Sequence, residues 1–307
     1  MAFSASDVKK LREMTGVGMM DCKKALAETD GDFDKAIDWL REKGMAQQQK
    51  KAGKIAAEGV SFAYVAENGV GVVVEVNSQT DFVAKNEIFQ NFVKDIAVVI
   101  AEQNPADVET LKGMTYPGTD RTVDEVTADK VLAIGENLQI RRFVRYDTGV
   151  NVGYVHAGGK VGVLVNLEVE GIDAAAVTEL GKDVAMQICA LNPQYLDQSV
   201  VPASFVEKEK EIRMVTAKQD PKNAKKPDAI IEKIVMGGIS KMYKEICLLQ
   251  MPFVKDDKVT VEQHVAAVAK EVGAPITVKS YIRFEKGEGI EKREDDLAAE
   301  VAKIVNG

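Results

Sequence analysis

Side chains with obvious chemistry are scarce in this chain of 307 residues: two histidines, His156 and His264, and three cysteines, Cys22, Cys189 and Cys247, all far apart in sequence. Such spacing offers neither a metal-ligand cluster nor a disulfide framework, and a reducing compartment is the expected setting. G-x-x-x-x-G-K-[ST], C-x-x-C, H-E-x-x-H and G-x-S-x-G are all missing, so the usual means of cradling phosphate, binding zinc or activating a serine are absent. With imidazole this rare, general acid–base catalysis near neutral pH is poorly provided for. The residues point to a binding protein rather than an enzyme, with no cofactor and no metal of its own. Thr80-Asp81-Phe82-Val83 sets a carboxylate beside an aromatic, directly after the apolar run Val72 to Val76 and ahead of Asn86, a good helix cap. On the residues alone, Phe82 either packs into the protein's own core at this strand–helix junction or stands out from it on a short anchored turn.

Composition narrows the partner. Forty basic residues against 48 acidic ones leave a net charge of −8, which repels a phosphate backbone and argues against nucleic acid. The apolar runs Val70 to Val76 and Ala97 to Ala101 are too short to cross a bilayer, and Met1-Ala-Phe-Ser-Ala-Ser-Asp lacks a basic and an apolar leader region. No membrane role is expected, and the cytoplasm is the expected location.

The elements that must carry the turn follow from periodicity. After Ser4 or Ser6, Val8, Leu11 and Met14 recur at helical spacing until Thr15-Gly16-Val17-Gly18 breaks the pattern. A second helix from about Met19 to Glu28, and a third carrying Phe33, Ile37 and Leu40 and stopping near Gly44, complete a three-helix unit over 1–46. Met19 and Met20 head the second helix and read as core residues of this bundle, although one can face inward while the other faces out. Polar, basic 47–56 reads as a linker, so the three-helix unit is expected to be separable from the remainder of the chain.

Beyond it the chain repeats itself. Tyr64 to Val74 resembles Tyr154 to Val165 at a shift of 90 residues, and Lys94-Asp95-Ile96-Ala97 with Asn104-Pro105 returns as Lys182-Asp183-Val184-Ala185 with Asn192-Pro193 at a shift of 88. Each copy is a β-hairpin followed by an amphipathic helix ended by Asn-Pro. His156 falls at the second hairpin's turn, where a histidine is ordinarily solvated. The expected fold is α+β, with a core of two repeated antiparallel-sheet-plus-helix subdomains, 57–140 and 141–203. Residues 204–249 read as an inserted antiparallel helical hairpin, with a capping box at Ser204 to Glu207 and a break at Gln219 to Pro227. Residues 250–285 return to the second subdomain, with a helix from Val261 to Gly273 and a strand from Ile276 to Glu285; 286–307 form a C-terminal module with a helix from Ala298 to Val305.

Several separated stretches, taken in order, resemble a known family. Leu11-Arg12-Glu13-Met14-Thr15-Gly16-Val17-Gly18-Met19-Met20-Asp21-Cys22-Lys23-Lys24-Ala25-Leu26 and Gln79-Thr80-Asp81-Phe82-Val83-Ala84-Lys85-Asn86 are similar to the two signatures of bacterial elongation factor Ts. Tyr281-Ile282-Arg283-Phe284-Glu285 and Gly287-Glu288-Gly289-Ile290-Glu291-Lys292 follow its pattern too. Gln79 departs from the glutamate usual there, and Met251 from a common glutamine. The resemblance implies an N-terminal module like ubiquitin-associated domains, and a guanine nucleotide exchange factor that binds elongation factor Tu in its GDP-bound and nucleotide-free states. It implies that Phe82, between Thr80 and Val83, enters an apolar pocket near the partner's magnesium, with Asp81 working beside it to displace the ion. It further implies that Leu11, Met19 and Met20 grip a helix of the nucleotide domain, and that His156, Val254 and Lys255 touch a second domain. The helical hairpin is left between dimerisation and contact with elongation factor Tu. The rival reading is a protein-binding adaptor working through the N-terminal module alone, which leaves the Thr80 to Val83 turn unexplained.

Overall fold

The computed structural model describes residues 3–223 and 226–291. They divide into two compact units. The first runs to Arg145 and includes Val155–Gly162 and residues 284–291; the second is Tyr146–Tyr154 with Val163–Arg283. The expected helix from Ala298 to Val305 lies outside the described residues.

The first unit opens with α1 (Ala5–Thr15), where Ser4 Oγ accepts the Asp7 N–H and the Asp7 carboxylate accepts the Ser4 N–H, satisfying two amide groups that a helix start otherwise leaves bare. Then come α2 (Met19–Glu28) and α3 (Phe33–Lys51). Strands β1 (Glu58–Val65) and β2 (Gly71–Ser78) form an antiparallel hairpin in which Glu58 faces Ser78 and Val65 faces Gly71. A four-residue helix α4 (Asp81–Ala84) leads into α5 (Glu87–Gln103), followed by α6 (Val108–Lys112), α7 (Val123–Ile134) and β3 (Gln139–Tyr146). The sheet order is β1-β2-β3. A division after residue 140 would cut β3, so 139–146 belong with the first sheet. Every residue of β2 is buried, and Val72, Val74 and Val76 share a core with Phe89, Phe92, Ile96 and Ile100 of α5. That alternation is what a strand needs to present one face to a covering helix.

The expected linker is mostly helix. α3 continues through Gln47–Lys51, because its second half lies along α7: Gly44 is buried there, Gln48 Nε2 donates to Asp124 Oδ1 at 3.0 Å, and Lys51 Nζ donates to the Gly135 carbonyl. Leu132 of α7 completes the three-helix core of Val8, Leu11, Cys22, Leu26 and Leu40. The first fifty residues therefore share a core with α7 and are not a separable unit.

In the second sheet, β4 (Val150–His156) and β5 (Val161–Val169) are joined by β8 (Ile276–Glu285) in the order β4-β5-β8. Between β5 and β8 lie α8 (Thr178–Leu191), the hairpin α9 (Ala203–Gln219) and α10 (Asp228–Ile246), the short ribbon β6 (Pro252–Phe253) and β7 (Asp256–Thr260), and α11 (Val261–Val272). The hairpin arms meet at Ala217, Ile231 and Val235. The capping box expected at Ser204 does not form. α9 starts at Ala203 after Pro202, whose φ of −55° leads directly into the helix and leaves Ser204 already inside it. The repeat is visible in the caps: Asn104 and Asn192 end α5 and α8 in the left-handed conformation, at φ 50° and 46°. Among the described residues, no helix is long and apolar enough to cross a membrane.

One polar cluster pins the first unit. Glu75, in the middle of β2, has no exposed surface. Its Oε1 accepts from Asn77 Nδ2 at 3.0 Å, Arg141 Nη1 at 3.0 Å and the Gly287 N–H at 2.7 Å, and its Oε2 accepts from Arg142 Nε at 2.6 Å. Gly287 is required: its φ is 69°, and a Cβ there would sit 2.0 Å from the Ala57 carbonyl oxygen. Burial pushes the Glu75 carboxyl pKa up, but the bonds from Gly287, Asn77, Arg142 and Arg141 outweigh it and hold it below the usual range.

A pKa lower in the folded state than in the unfolded one stabilises the fold above the unfolded value, near 4.3, and that contribution is lost as pH falls through the folded value. Glu75→Gln is expected to cost about 3 kcal/mol in urea unfolding at pH 7, by breaking the buried carboxylate's ion pairs with Arg141 and Arg142, and to flatten the loss of stability below about pH 4. Removing residues 1–50 is expected to lower the melting temperature by about 5 °C or more, since it uncovers α7; an unchanged melting temperature would restore the separable unit.

Candidate functional site

The Asp81-Phe82 turn is held before it begins. β2 ends at Ser78, whose hydroxyl donates to the Thr80 carbonyl at 3.0 Å. Glu136, just past the Gly135 cap of α7, then gathers the next donors: Oε2 accepts the N–H groups of Gln79 and Thr80 at 3.0 Å each, and Oε1 accepts the Thr80 hydroxyl at 2.7 Å. Thr80 is also the N-cap of α4, its Oγ1 accepting the Val83 N–H at 3.5 Å. Gln79, where the family pattern has glutamate, contributes its backbone N–H here, which is independent of side-chain type.

On α4, Val83 and Ala84 turn into the core of the first unit, and Phe82 is thereby turned out, with 79% of its surface exposed. Of the two placements open to Phe82 on sequence, the outward one is the observed one. The reason is local: neighbouring residues on a helix point about 100° apart, and two apolar neighbours already occupy the inward direction. Asp81 is half exposed and accepts from Lys85 Nζ at 2.8 Å across one helical turn. That hydrogen bond holds its carboxyl below the ordinary carboxylate range. Asn86 caps α5 as expected, its Oδ1 accepting the Ile88 N–H at 2.8 Å.

The N-terminal residues divide differently from expectation. Leu11 is fully buried in the three-helix core, so it is no surface residue and can act on a partner only through packing. Met14, which continues the helical spacing of Val8 and Leu11, is exposed. Met19 and Met20 are 42% and 76% exposed at the head of α2, so neither is a core residue. A groove of about 480 Å³, lined in part by Met14, Gly16, Ile37, Ile88 and Arg121, runs from the turn ahead of Met19 to the start of α5.

His156 is exposed at the end of β4, and its carbonyl accepts the Gly159 and Lys160 N–H groups in the turn. The sequence repeat places this turn in the second subdomain; Val155–Gly162 instead belong to the first unit, where the Gly159 carbonyl accepts the Ser61 N–H of β1 at 2.8 Å. Gly159 allows this close approach, since at its φ of 98° a Cβ would lie 2.6 Å from Val60 Cγ1.

Val254 and Lys255 lie in the second unit, on the turn between β6 and β7, held by two residues one turn apart on α8. Buried Gln187 donates through Nε2 to the Pro252 carbonyl at 3.0 Å and accepts the Val254 N–H at 2.7 Å. Asp183 accepts from Lys255 Nζ at 2.6 Å and sits 3.2 Å from His264 Nε2, whose ring stacks on Phe253 at 4.1 Å. Val254 is left 45% exposed. Met251, the other departure from the family pattern, is buried. Sequence reasoning missed Glu136, Gln187 and the role of Asp183. Only Asp183 had a signal, its place in the Lys-Asp repeat. Among the described residues, no group of three His, Cys, Asp or Glu side chains is placed to hold a metal ion.

Residues 79–288 match the family model described as "Elongation factor TS". The chain belongs to the elongation factor Ts family. It is 48% identical to "Elongation factor Ts" of Syntrophotalea carbinolica over 306 residues, covering 99% of each chain. It is 50% identical to "Elongation factor Ts" of Clostridioides difficile over 302 residues, covering 98% of each, and 48% identical to that of Magnetococcus marinus over the full length of both.

Exposed Phe82 carries no packing role, so Phe82→Ala is expected to change unfolding free energy by less than about 0.5 kcal/mol. Gln187→Leu, which removes the partner of two part-buried backbone groups, is expected to cost about 1 kcal/mol in the same urea titration. The reverse order would return Phe82 to the core.

Proposed function

We propose that the chain is a cytoplasmic guanine nucleotide exchange factor that binds elongation factor Tu carrying GDP, promotes release of the GDP and stabilises the nucleotide-free partner until GTP enters. The observation that carries this reading is an aromatic, Phe82, exposed beside a carboxylate, Asp81, on a turn anchored at both ends. A large apolar side chain kept in water has free energy to release on docking: burying a phenylalanine contributes roughly 1.5–3 kcal/mol. Placed in an apolar pocket near the partner's magnesium, Phe82 favours a conformation in which the ion and the phosphates are held less well. Asp81 adds a negative charge beside the cation's oxygen shell, and once the cation leaves, the β-phosphate loses its main counter-charge. Freeing Asp81 from Lys85 costs little, because their ion pair is solvent-exposed.

The rest is linkage. A factor that binds the nucleotide-free partner more tightly than the GDP complex weakens GDP by the same ratio. No bond is made or broken in this chain, so it is not an enzyme in the sense of bond chemistry. Met19 and Met20 serve as apolar contacts on the nucleotide domain, with Leu11 supporting them from beneath; His156, Val254 and Lys255 serve a second domain. The rival adaptor reading needs a self-standing N-terminal module, and the core shared between α3 and α7 speaks against one.

The test is release of a fluorescent GDP analogue from purified elongation factor Tu. Catalytic amounts of the wild-type chain are expected to accelerate it, and Asp81→Ala or Phe82→Ala to slow the accelerated rate about tenfold or more, equivalent to losing about 1.4 kcal/mol of transition-state stabilisation. No acceleration by the wild-type chain would refute the reading.

A further inference from the structure

The hydrogen bonds around residues 135–137 point beyond the turn itself. Glu136 receives the backbone of Gln79 and Thr80 and the Thr80 hydroxyl. The same short segment is tied on its other side to the end of the N-terminal unit: Lys51 Nζ donates to the Gly135 carbonyl, and Asn137 Nδ2, from a buried side chain, donates to the Lys54 carbonyl at 2.8 Å. Residues 135–137 thus sit between the last turn of α3 and the first residue of the Asp81-Phe82 turn. All of these groups belong to the first unit.

We propose that Glu136 is a positioning residue for exchange, and that it passes the placement of the N-terminal helices to the Asp81-Phe82 turn through Lys51. This rests on the exchange-factor reading and adds to it how the turn is set. A carboxylate suits the task better than an amide. Three donors converge on its two oxygens, and a glutamine would replace one acceptor by an NH2 group that faces a donor. Charge-assisted bonds of this kind are about twice as strong as neutral ones. α4 is a single turn with little rigidity of its own, so its direction rests on the cap at Thr80 as well as on Val83 and Ala84 in the core, and Thr80 is held by Glu136. A wedge must already be in its working geometry when the partner arrives, because an ordering cost met at the transition state lowers the rate. The role of the N-terminal unit is then twofold: contact through Met19 and Met20, and placement of the turn through α3.

Two variants test this in the full-length chain: Glu136→Gln, and Lys51→Met, which keeps bulk and touches neither the turn nor the partner-facing residues. Two readouts are taken on each: GDP-analogue release from elongation factor Tu across a concentration series, and amide hydrogen exchange at Gln79 and Thr80 in the free chain. For Glu136→Gln the maximal release rate is expected to fall about tenfold while the half-saturating concentration moves less than about threefold, the pattern of a group that orients rather than binds. Exchange at the two amides is expected to quicken about tenfold or more. Lys51→Met should show both effects in weaker form. A merely structural role would lower thermal stability and leave the maximal rate of the folded fraction unchanged, and that outcome overturns the proposal. Faster amide exchange with an unchanged maximal rate overturns it as well, with the exchange-factor reading intact. If the wild-type chain itself releases no GDP, both fall together, and the amide data then report only the clamp.

Discussion

A carboxylate with no access to water is the constraint around which the first unit is arranged. Taking an ionised glutamate out of solvent costs several kcal/mol unless its lone pairs are filled, and for Glu75 they are filled by Asn77 on its own strand, by Arg141 and Arg142 on β3, and by the N–H of Gly287 on the returning chain. Those pieces of backbone, far apart in sequence, must therefore meet. Arg142 also lies over the Phe284 ring at 4.2 Å, and Lys286 pairs with Glu58, so the return is fixed to β1 too. The Asp81-Phe82 turn leaves β2 three residues beyond this knot. A short helix that carries an exposed phenylalanine starts here from a strand buried along its whole length.

The repeat gives the second unit the same plan with a different use. Asp95 and Asp183 stand at matching places on α5 and α8. Asp95 accepts from the Tyr116 hydroxyl, and burial, with this bond second, raises the phenol's pKa far above its usual value. Asp183 holds Lys255 and faces His264. One carboxylate thus fastens a loop inside a core, while the other fastens a surface turn that leaves Val254 exposed. The two copies diverged in what the carboxylate holds and kept the helix, its left-handed Asn cap and the hairpin before it.

The sequence makes legible what one element encodes by itself. The hairpins, the Asn-Pro helix ends, the break at Gly16 and the two arms expected over 204–249 follow from turn residues and periodicity, and the arms are found over Ala203–Gln219 and Asp228–Ile246. Contacts between distant positions are not legible in that way. Glu136 and Thr80 lie 56 residues apart, and nothing in either residue's neighbours announces the other. Gln47 to Lys51 read as a linker because their polarity hides a helix whose task is to lie on α7 with polar and small side chains. Resemblance puts Leu11 on a partner surface, although its spacing with Val8 already marks the core face. Periodicity leaves Phe82 undecided, and the inward-facing pair Val83 and Ala84 resolves it.

We propose that Phe82, exposed on its anchored turn, is buried by the partner. Fluorine NMR of the chain carrying 4-fluorophenylalanine at position 82 measures this directly. The account predicts a single solvent-exposed resonance in the free chain that is replaced, on adding elongation factor Tu with GDP, by a shifted resonance protected from solvent. A resonance that is already protected in the free chain, or one that stays solvent-exposed in a complex shown to have formed, would contradict it.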